Sequence, residues 1–280
     1  MKIIASPKEI QTYCGLARSE GKTVGLVPTM GAFHEGHLSL MRGARADNDL
    51  VVTSIFVNPT QFGPREDFDA YPRDLEGDSK LASEIGVDVI FAPTVKDMYP
   101  NEYVTFVNVE RITEKMCGAF RPGHFRGVTT VVTKLFNIVR PHRAYFGQKD
   151  AQQCVVIKRM AEDLNFDIEI VVMPTVREKD GLAMSSRNKY LNAQERQSAL
   201  VLSKSLIMAQ DLIKSGQINA TEVLQKIKQM IEAEPLAKID YVSIVDGETL
   251  EDVEEIIKNT LIALAVFVGK TRLIDNIVIS

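Results

Sequence analysis

The chain has 280 residues, 45% hydrophobic and 25% charged, which is the composition of an ordinary globular protein with one large domain or two. Its 33 basic and 37 acidic residues give a net charge of −4 without a polybasic run, which argues against binding nucleic acid through broad phosphate neutralisation. No stretch reaches the roughly 18 apolar residues of a membrane span, the N-terminus lacks a signal-peptide core, and the three cysteines are too far apart for a disulfide framework, so we expect a cytoplasmic protein.

Short apolar runs alternate with helical patterns up to about residue 175. β-Branched runs separated by helices predict a mainly parallel sheet with helices on both faces, which is a Rossmann-like α/β fold. Ser6 and Pro7 predict a helix start, and further helices are predicted over Pro72–Ile85 and Val128–Val139. The predicted strands are Val24–Val27, Leu50–Val57, Val87–Ala92, Ala144–Phe146 and Ile168–Met173.

The pattern changes after about residue 182. Two amphipathic helices, over residues 193–215 and 220–233, precede three strand-like runs, which predicts a separate α+β unit. The expected organisation is therefore a nucleotide-binding catalytic domain over residues 1–182 and a smaller α+β C-terminal domain over residues 183–280. The predicted strands of the second domain are Ile239–Val245, Leu261–Val268 and Arg272–Ile279.

The segment over residues 23–41 combines a buried strand, a tight turn and a helix start. His34 and His37 fall at or beside the helix N-terminus, where unpaired backbone N–H groups and the helix dipole favour an anion. Histidines three apart share a helix face, so both imidazoles can reach one ligand. Their spacing differs from the zinc pattern of histidines four apart, and by itself the pair equally fits surface or capping residues.

Other polar segments follow predicted strands, where parallel sheets bind ligands. Lys149 in Gly147–Asp150 can act as a point charge against phosphate, and Met184–Arg187 offers hydroxyls, backbone N–H groups and a guanidinium. Taken singly, these segments also fit a solvated turn and an interdomain linker. Cys117–Gly127 has no periodicity, which predicts a loop, and His142 is expected on the surface.

Six motifs resemble, in order and spacing, the pantothenate synthetase family of the nucleotidylyltransferase superfamily. The resemblance covers nearly all of residues 20–192, while residues 193–280 fit the family's smaller C-terminal domain by length and pattern. The motifs are Val27–Gly31, Phe56–Phe62, Tyr71–Arg73, Arg121–Phe125, Tyr145–Asp150 and Gly181–Asn188. The resemblance implies ATP-dependent condensation of (R)-pantoate with β-alanine to pantothenate, AMP and pyrophosphate through a pantoyl-adenylate. It also implies that the loop over residues 117–127 or the C-terminal domain closes over the active site to shelter this intermediate from water.

The resemblance also implies roles for individual residues. His37 is the expected proton donor, with His34 and Lys149 as the other catalytic residues, and Lys189 is an alternative to Arg187 at the phosphate. Mg²⁺ is expected to bind mainly through ATP, with no protein ligand assigned, and the family suggests a homodimer. The strand-like run around Val104–Val109 is a candidate for the dimer contact. The expected ATP-binding residues are Met30, Gly31, His34, His37, Gly147, Lys149, Asp150, Val176, Met184, Ser185, Ser186 and Arg187. The expected residues for pantoate and β-alanine are Gln61 and Gln153, with Asn58 and Arg121 as helpers.

Two other functional classes share these features. A nucleotidylyltransferase that stops at a nucleotide conjugate would use the same phosphate-binding residues. A non-catalytic nucleotide-binding module would use these residues only to bind the nucleotide. A tRNA synthetase is disfavoured, because 280 residues leave little room for an anticodon-binding domain and the net charge is negative.

Overall fold

The computed structural model describes residues 1–64 and 66–280, which form two compact units. The first unit comprises Met1–Glu110, Arg121–Gly147 and Val156–Pro174, and the second comprises Arg111–Phe120, Gln148–Val155 and Thr175–Ser280. The division of the sequence between residues 182 and 183 stays a prediction.

The first unit is built on a six-stranded parallel sheet in the order β1-β4-β3-β2-β5-β6. This confirms the predicted α/β class. The one strand missed from the sequence is β1, which at three residues is too short to show a pattern. The strands are β1 (Lys2–Ile4), β2 (Val24–Thr29), β3 (Leu50–Ile55), β4 (Val89–Phe91), β5 (Arg143–Gly147) and β6 (Glu169–Met173).

The helices follow the predicted 3.6-residue periodicity, with short 3₁₀ turns at Pro59–Gln61, Gln148–Asp150 and Ser186–Tyr190. Among the described helices, none is both long enough and apolar enough to cross a membrane. The α-helices are α1 (Pro7–Ser19), α2 (Glu35–Asp47), α3 (Leu75–Ile85), α4 (Val95–Met98), α5 (Cys117–Phe120), α6 (His124–Val139), α7 (Ala151–Asp163), α8 (Ala193–Lys214) and α9 (Ala220–Glu232).

Helices cover both faces of the parallel sheet. On one face, apolar residues of α2 and α3 pack with Val27, Val51, Ile90 and Tyr145 of four neighbouring strands. On the other face, α1 and α6 contact each other and β2. Burial on both sides explains why the central strands read as continuous apolar runs instead of alternating ones.

The predicted loop over residues 117–127 is largely helical. It contains α5, and α6 begins at His124, four residues before the predicted start at Val128. The glycines of this segment predicted a loop, but Gly127 lies inside the first turn of α6, where its missing side chain allows a close backbone contact. Tertiary packing thus overrides the local preference of glycine.

One further expectation was wrong. The strand-like run at residues 104–109 forms no strand in the described chain, because the backbone of Val107 bonds the hydroxyls of Thr129 and Thr130 on α6. His142 lies in the loop before β5, as predicted, and is partly exposed. Its Nδ1 accepts a 2.9 Å hydrogen bond from the N–H of Val24 at the start of β2, a bond between distant segments that the sequence did not indicate.

The second unit contains the predicted antiparallel meander of β7 (Ala237–Asp246), β8 (Thr260–Val268) and β9 (Thr271–Val278) in the order β7-β8-β9. Apolar residues of α8 and α9 pack against this sheet in one core cluster. The α+β class predicted for the C-terminal part of the chain is thereby confirmed.

Candidate active site

The strand order reverses at the neighbouring strands β2 and β5. From β2 the chain proceeds outwards through β3 to β4, and it then returns to place β5 on the other side of β2. Open parallel sheets bind ligands at such a switch point, beyond the carboxyl ends of the strands. β2 ends at Thr29, immediately before Met30, and β5 ends at Gly147.

The turn between β2 and α2 has an unusual backbone. Gly31 and Ala32 have φ values of 86° and 54°, in the left-handed region that costs a non-glycine residue about 1–2 kcal/mol. The carboxylate of Asp78, 3% exposed, accepts hydrogen bonds from the N–H groups of Ala32 (2.8 Å) and Phe33 (2.7 Å). Asp78 therefore fixes the backbone immediately before His34.

Both predicted histidines cap α2. His34 Nδ1 accepts from the N–H of Gly36 across 3.1 Å, and His37 Nδ1 accepts from the N–H of His34 across 3.4 Å. The ring centroids are 4.2 Å apart. Because each Nδ1 accepts, the proton of each neutral imidazole is assigned to Nε2. Two N–H donors thus lie beside the positive end of the helix dipole, where an anion is stabilised.

Gln61 lies on the 3₁₀ turn that follows β3. Asn58, 1% exposed, donates from Nδ2 to Gln61 Oε1 (3.0 Å) and to the carbonyl oxygen of Gly127 (3.1 Å). Asn58 Oδ1 accepts from two nearby hydroxyls. Gln61 Nε2 donates to Met30 Sδ across 3.4 Å. The structure thus brings Met30, Asn58 and Gln61 together, and the amide of Asn58 holds the amide of Gln61.

The main chain of Gln61 is bound by a second group of side chains. Arg121 Nη2 (3.3 Å) and His124 Nδ1 (2.9 Å) both contact the Gln61 carbonyl oxygen. Arg121 also forms a two-point ion pair with Glu66, with bonds of 2.7 and 2.6 Å. Burial raises the pKa of Glu66, but the hydrogen bond and charge of Arg121 more than offset it, so the pKa lies below its ordinary value.

Lys149 lies on a 3₁₀ turn of the second unit. Asn276 on β9, 4% exposed, donates from Nδ2 to the carbonyl oxygens of Gln148 and Lys149, each across 2.9 Å. Its Oδ1 accepts from Gln148 Nε2 across 3.0 Å. Lys149 is partly buried and Asp150 is exposed. The backbone of the Lys149 turn, which continues directly into α7, is therefore also held by a side chain of β9.

Val176 and Met184 meet across a tight loop of the second unit. The N–H of Met184 donates to the carbonyl oxygen of Val176 across 2.9 Å. Arg177 within this loop forms a two-point ion pair, with bonds of 2.6 and 2.9 Å, with Asp275 of β9, which is 1% exposed. Two of the predicted nucleotide-binding residues are thereby brought together by bonds that the sequence did not indicate.

The 3₁₀ turn that follows this loop carries the remaining predicted phosphate-binding residues. Ser185 caps the turn, because its hydroxyl accepts from the N–H of Arg187 across 3.2 Å. Ser186 is buried, with 8% exposure.

Gln153 lies partly buried in the first turn of α7.

The predicted site residues divide between the units. The first unit holds Met30, Gly31, His34, His37, Asn58, Gln61, Arg121 and Gly147, and the second holds Lys149, Asp150, Gln153, Val176, Met184, Ser185, Ser186 and Arg187.

Four positioning residues were missed from the sequence: Glu66, Asp78, Asp275 and Asn276. Only the last two left a signal, since an Asp-Asn pair inside the apolar run of β9 is unusual for a buried strand.

Comparisons with known proteins match the whole chain. The family model described as pantoate-beta-alanine ligase matches residues 2–278. A pantothenate synthetase of Acetivibrio thermocellus is 60% identical over 279 residues, which are 100% of this chain and 99% of the relative.

Solved structures agree. The crystal structure of pantothenate synthetase from Thermus thermophilus has a TM-score of 0.94 and 45% identity, covering 99% of both chains. The ligase from Francisella tularensis, complexed with beta-gamma ATP and β-alanine, has a TM-score of 0.81 and 36% identity, covering 99% of this chain and 97% of that chain. The chain belongs to the pantoate–β-alanine ligase family.

Proposed function

We propose that this ligase, which joins (R)-pantoate to β-alanine at the expense of ATP, uses the histidine-capped start of α2 to bind the ATP phosphates. The observation that carries this proposal is the placement of His34 and His37 at a helix N-terminus beyond β2, beside the point where the strand order reverses. Met30 and Gly31 precede them and would border the nucleotide.

In the first step, a carboxylate oxygen of pantoate attacks the α-phosphorus of ATP, and the bond from this phosphorus to the bridging oxygen breaks to release pyrophosphate. An ionised carboxylate is already nucleophilic, so the step needs alignment and charge neutralisation instead of a general base. Nε2–H of His37 would donate to the phosphate oxygens as negative charge develops, with His34 beside it. His37 is thereby the proposed proton donor.

The second unit supplies further groups for phosphate. Lys149 carries a point charge, and Arg187 carries a planar guanidinium beside the hydroxyls of Ser185 and Ser186. We propose that these groups neutralise the triphosphate, with Val176 and Met184 on the nucleotide, and Gly147 and Asp150 flanking the Lys149 turn. Lys189 lies on the same 3₁₀ turn as Arg187 and is the alternative phosphate contact.

Gln61 and Gln153 are the proposed contacts for pantoate, with Gln61 also near β-alanine. Asn58 supports this role indirectly, because its hydrogen bond to Gln61 Oε1 directs Nε2 of Gln61 as a donor. Arg121 is paired with Glu66, so we assign it to holding the Gln61 turn. In the second step, the amine of β-alanine attacks the acyl carbonyl of the pantoyl-adenylate, and AMP leaves.

The proposal also covers the binding of Mg²⁺, the oligomeric state and the cellular location of the protein. Mg²⁺ would bind mainly through the phosphate oxygens of ATP, because this ion prefers oxygen ligands and is commonly bound through substrate phosphates. A homodimer is supported by the exposure of two apolar residues on one segment, Val104 (82%) and Phe106 (40%), and light scattering tests it. A cytoplasmic location is supported by the small number of cysteines, three in 280 residues, which are too far apart in sequence for a disulfide framework.

The proposal is tested by following both products of ATP. Pyrophosphate should form when pantoate alone is added, and AMP should appear only after β-alanine is added. Pyrophosphate release at the same rate with and without pantoate would refute adenylation of pantoate. Release of pyrophosphate without any AMP after β-alanine is added would indicate a nucleotidylyltransferase that stops at the conjugate. His37→Ala should slow pyrophosphate release far more than it weakens ATP binding, whereas a binding module would lose only affinity.

A further inference from the structure

We infer that Asp275 and Asn276, consecutive residues of β9, are positioning residues that set the geometry of the phosphate-binding groups on the second unit. Asn276 holds the turn of Lys149, and Asp275 holds the loop that leads to Ser185 and Arg187. The inference rests on the proposed function of Lys149 and of the Ser185–Arg187 segment as phosphate contacts.

The side chain of Asn276 uses its hydrogen-bonding groups on one turn. Its Nδ2 donates to two consecutive carbonyl oxygens, of Gln148 and Lys149, and its Oδ1 accepts from the Gln148 amide. At 4% exposure, water cannot replace these partners. A 3₁₀ turn of three residues has few backbone hydrogen bonds of its own, so the direction in which Lys149 leaves the turn depends on Asn276.

Asp275 places a charge where an apolar residue would ordinarily complete the sheet. Its carboxylate is 1% exposed and is stabilised by both terminal nitrogens of Arg177 and by the N–H of Asn276, the latter across 2.8 Å. Arg177 Nη1 also donates to the carbonyl oxygen of Gly181 across 3.1 Å. A buried ion pair is rarely a gain in stability over apolar packing, which favours a role in fixing geometry.

The two residues act as one device because they are consecutive. Their Cα atoms are about 3.8 Å apart across one peptide bond, and β9 is held along its length by β8. The Lys149 turn and the Arg177 loop are therefore anchored to neighbouring points of one rigid strand. Successive side chains of a strand project to opposite faces, so the Lys149 turn and the Arg177 loop are anchored on opposite faces of β9. This anchoring limits how far Lys149 and the Ser185–Arg187 segment can move relative to β9 before a nucleotide binds, as charge stabilisation in a transition state requires.

The test is a double-mutant cycle on the rate of pantoate-dependent pyrophosphate release in a single turnover. Asn276→Ala should lower this rate by about 10–100-fold, because a displacement of about 1 Å is enough to cause such a loss. In a Lys149→Ala enzyme, the same change should have little further effect, since a residue that acts through Lys149 has nothing left to position. Asp275→Asn should likewise lower the rate in the wild-type enzyme and have little further effect in an Arg187→Ala enzyme.

Ser198→Ala is the matched control. Ser198 is a buried polar residue of the same unit, 6% exposed, and it donates across 2.8 Å to Glu234, which lies outside both loops. It should lower thermal stability without lowering the rate. If Asn276→Ala destabilises the fold too much, Asn276→Leu, which roughly keeps the side-chain volume, adds no charge and removes the donor, takes its place in the cycle.

Additive losses in the cycle would overturn the inference, and so would a loss in Ser198→Ala equal to that in Asn276→Ala at matched stability. An unchanged rate in Lys149→Ala beside a loss in Asn276→Ala would also overturn it, since Asn276 would then not act through Lys149. The proposed function itself is tested separately on the wild-type enzyme. It fails if the wild-type enzyme releases pyrophosphate at the same rate with and without pantoate.

Discussion

The side-chain amide of Asn58 donates a 3.0 Å hydrogen bond to Oε1 of Gln61 and thereby determines which end of the Gln61 amide is the donor. A glutamine side chain can rotate its amide by 180° at little cost unless a neighbour distinguishes oxygen from nitrogen. Asn58 makes that distinction, and Gln61 Nε2 points to Met30 Sδ as a result. The polarity of a proposed pantoate contact is thus set by a residue that is itself buried.

Asn58→Ala should raise the KM for pantoate about tenfold, equivalent to ~1.4 kcal/mol, because the Gln61 amide loses its orientation. Initial rates at varied pantoate and saturating ATP measure this. Asn48→Ala is the control, since Asn48 is also buried, 6% exposed, and donates to Ala44 and Tyr145. An equal rise in KM in both variants would mean that general destabilisation is the cause.

Gly127→Ala should raise the KM for pantoate and lower the melting temperature together. A Cβ at this position would lie 2.4 Å from the carbonyl oxygen of Thr60, so the turn bearing Gln61 must move. Gly15→Ala, on α1 with nothing within 4 Å of the added Cβ, should instead stabilise the fold by about 0.5–1 kcal/mol. Calorimetry and pantoate kinetics on both variants check this, and an unaltered KM in Gly127→Ala would contradict it.

Asp78→Asn should slow pantoate-dependent pyrophosphate release by about 10–100-fold. An amide at this position has one acceptor oxygen for two backbone N–H groups, so the turn before His34 must shift or leave a buried donor unbonded, at a cost of about 1–3 kcal/mol. The matched control is Asp74→Ala, which removes the cap of the same helix, α3, without altering the bonds to Ala32 and Phe33.

Asp74→Ala should cost about 1 kcal/mol of stability and leave the rate of pyrophosphate release close to that of the wild type. If the two variants lose rate in proportion to their loss of stability, Asp78 has no specific role in positioning the histidines.

His142 should make the fold less stable as the pH falls below about 6.5. Burial, and then the charge of Arg18, lowers the pKa of His142 from its ordinary 6.5. The unfolded chain therefore binds more protons than the folded one between the two pKa values, so the stabilising contribution is present above pH 6.5 and is lost as the pH falls through the folded pKa.

His142→Asn keeps an acceptor for the N–H of Val24 but cannot titrate. Melting temperatures measured between pH 7.5 and 5.0 should fall less steeply in this variant than in the wild type. Parallel slopes for the two proteins would contradict the prediction.

Elements with a clear hydrophobic period could be predicted from the sequence. β2, α8 and β8 match the expected ranges within two residues, because their burial on defined faces leaves a pattern in neighbouring residues. The start of α6 could not be predicted, since Gly127 is there for a contact with Thr60, which lies far away in sequence. Local preference contains no information about such a contact.

The same difference between local patterns and long-range contacts separates the site residues that could be predicted from those that could not. His34 and His37 were identifiable because a strand, a turn and a helix start are local features. Asp78 and Asn276 were not, because each binds the backbone of a segment more than 40 residues away. The groups proposed to touch substrate lie in short motifs, whereas the groups that hold them are joined to them only by folding.

The left-handed backbone at Gly31 and Ala32 limits which amino acids this protein can carry at these two positions. At position 31, an added Cβ would lie 3.0 Å from Asp78 Oδ2 and 3.1 Å from Ile55 Cγ2, so glycine is required by space as well as by φ. Position 32 needs the left-handed conformation, which asparagine or glycine adopts at less cost than a β-branched residue, and Ala32 is only 7% exposed, so a larger side chain must also find space. A saturation library selected for growth without pantothenate should therefore retain a single residue at position 31 and a narrow set at position 32.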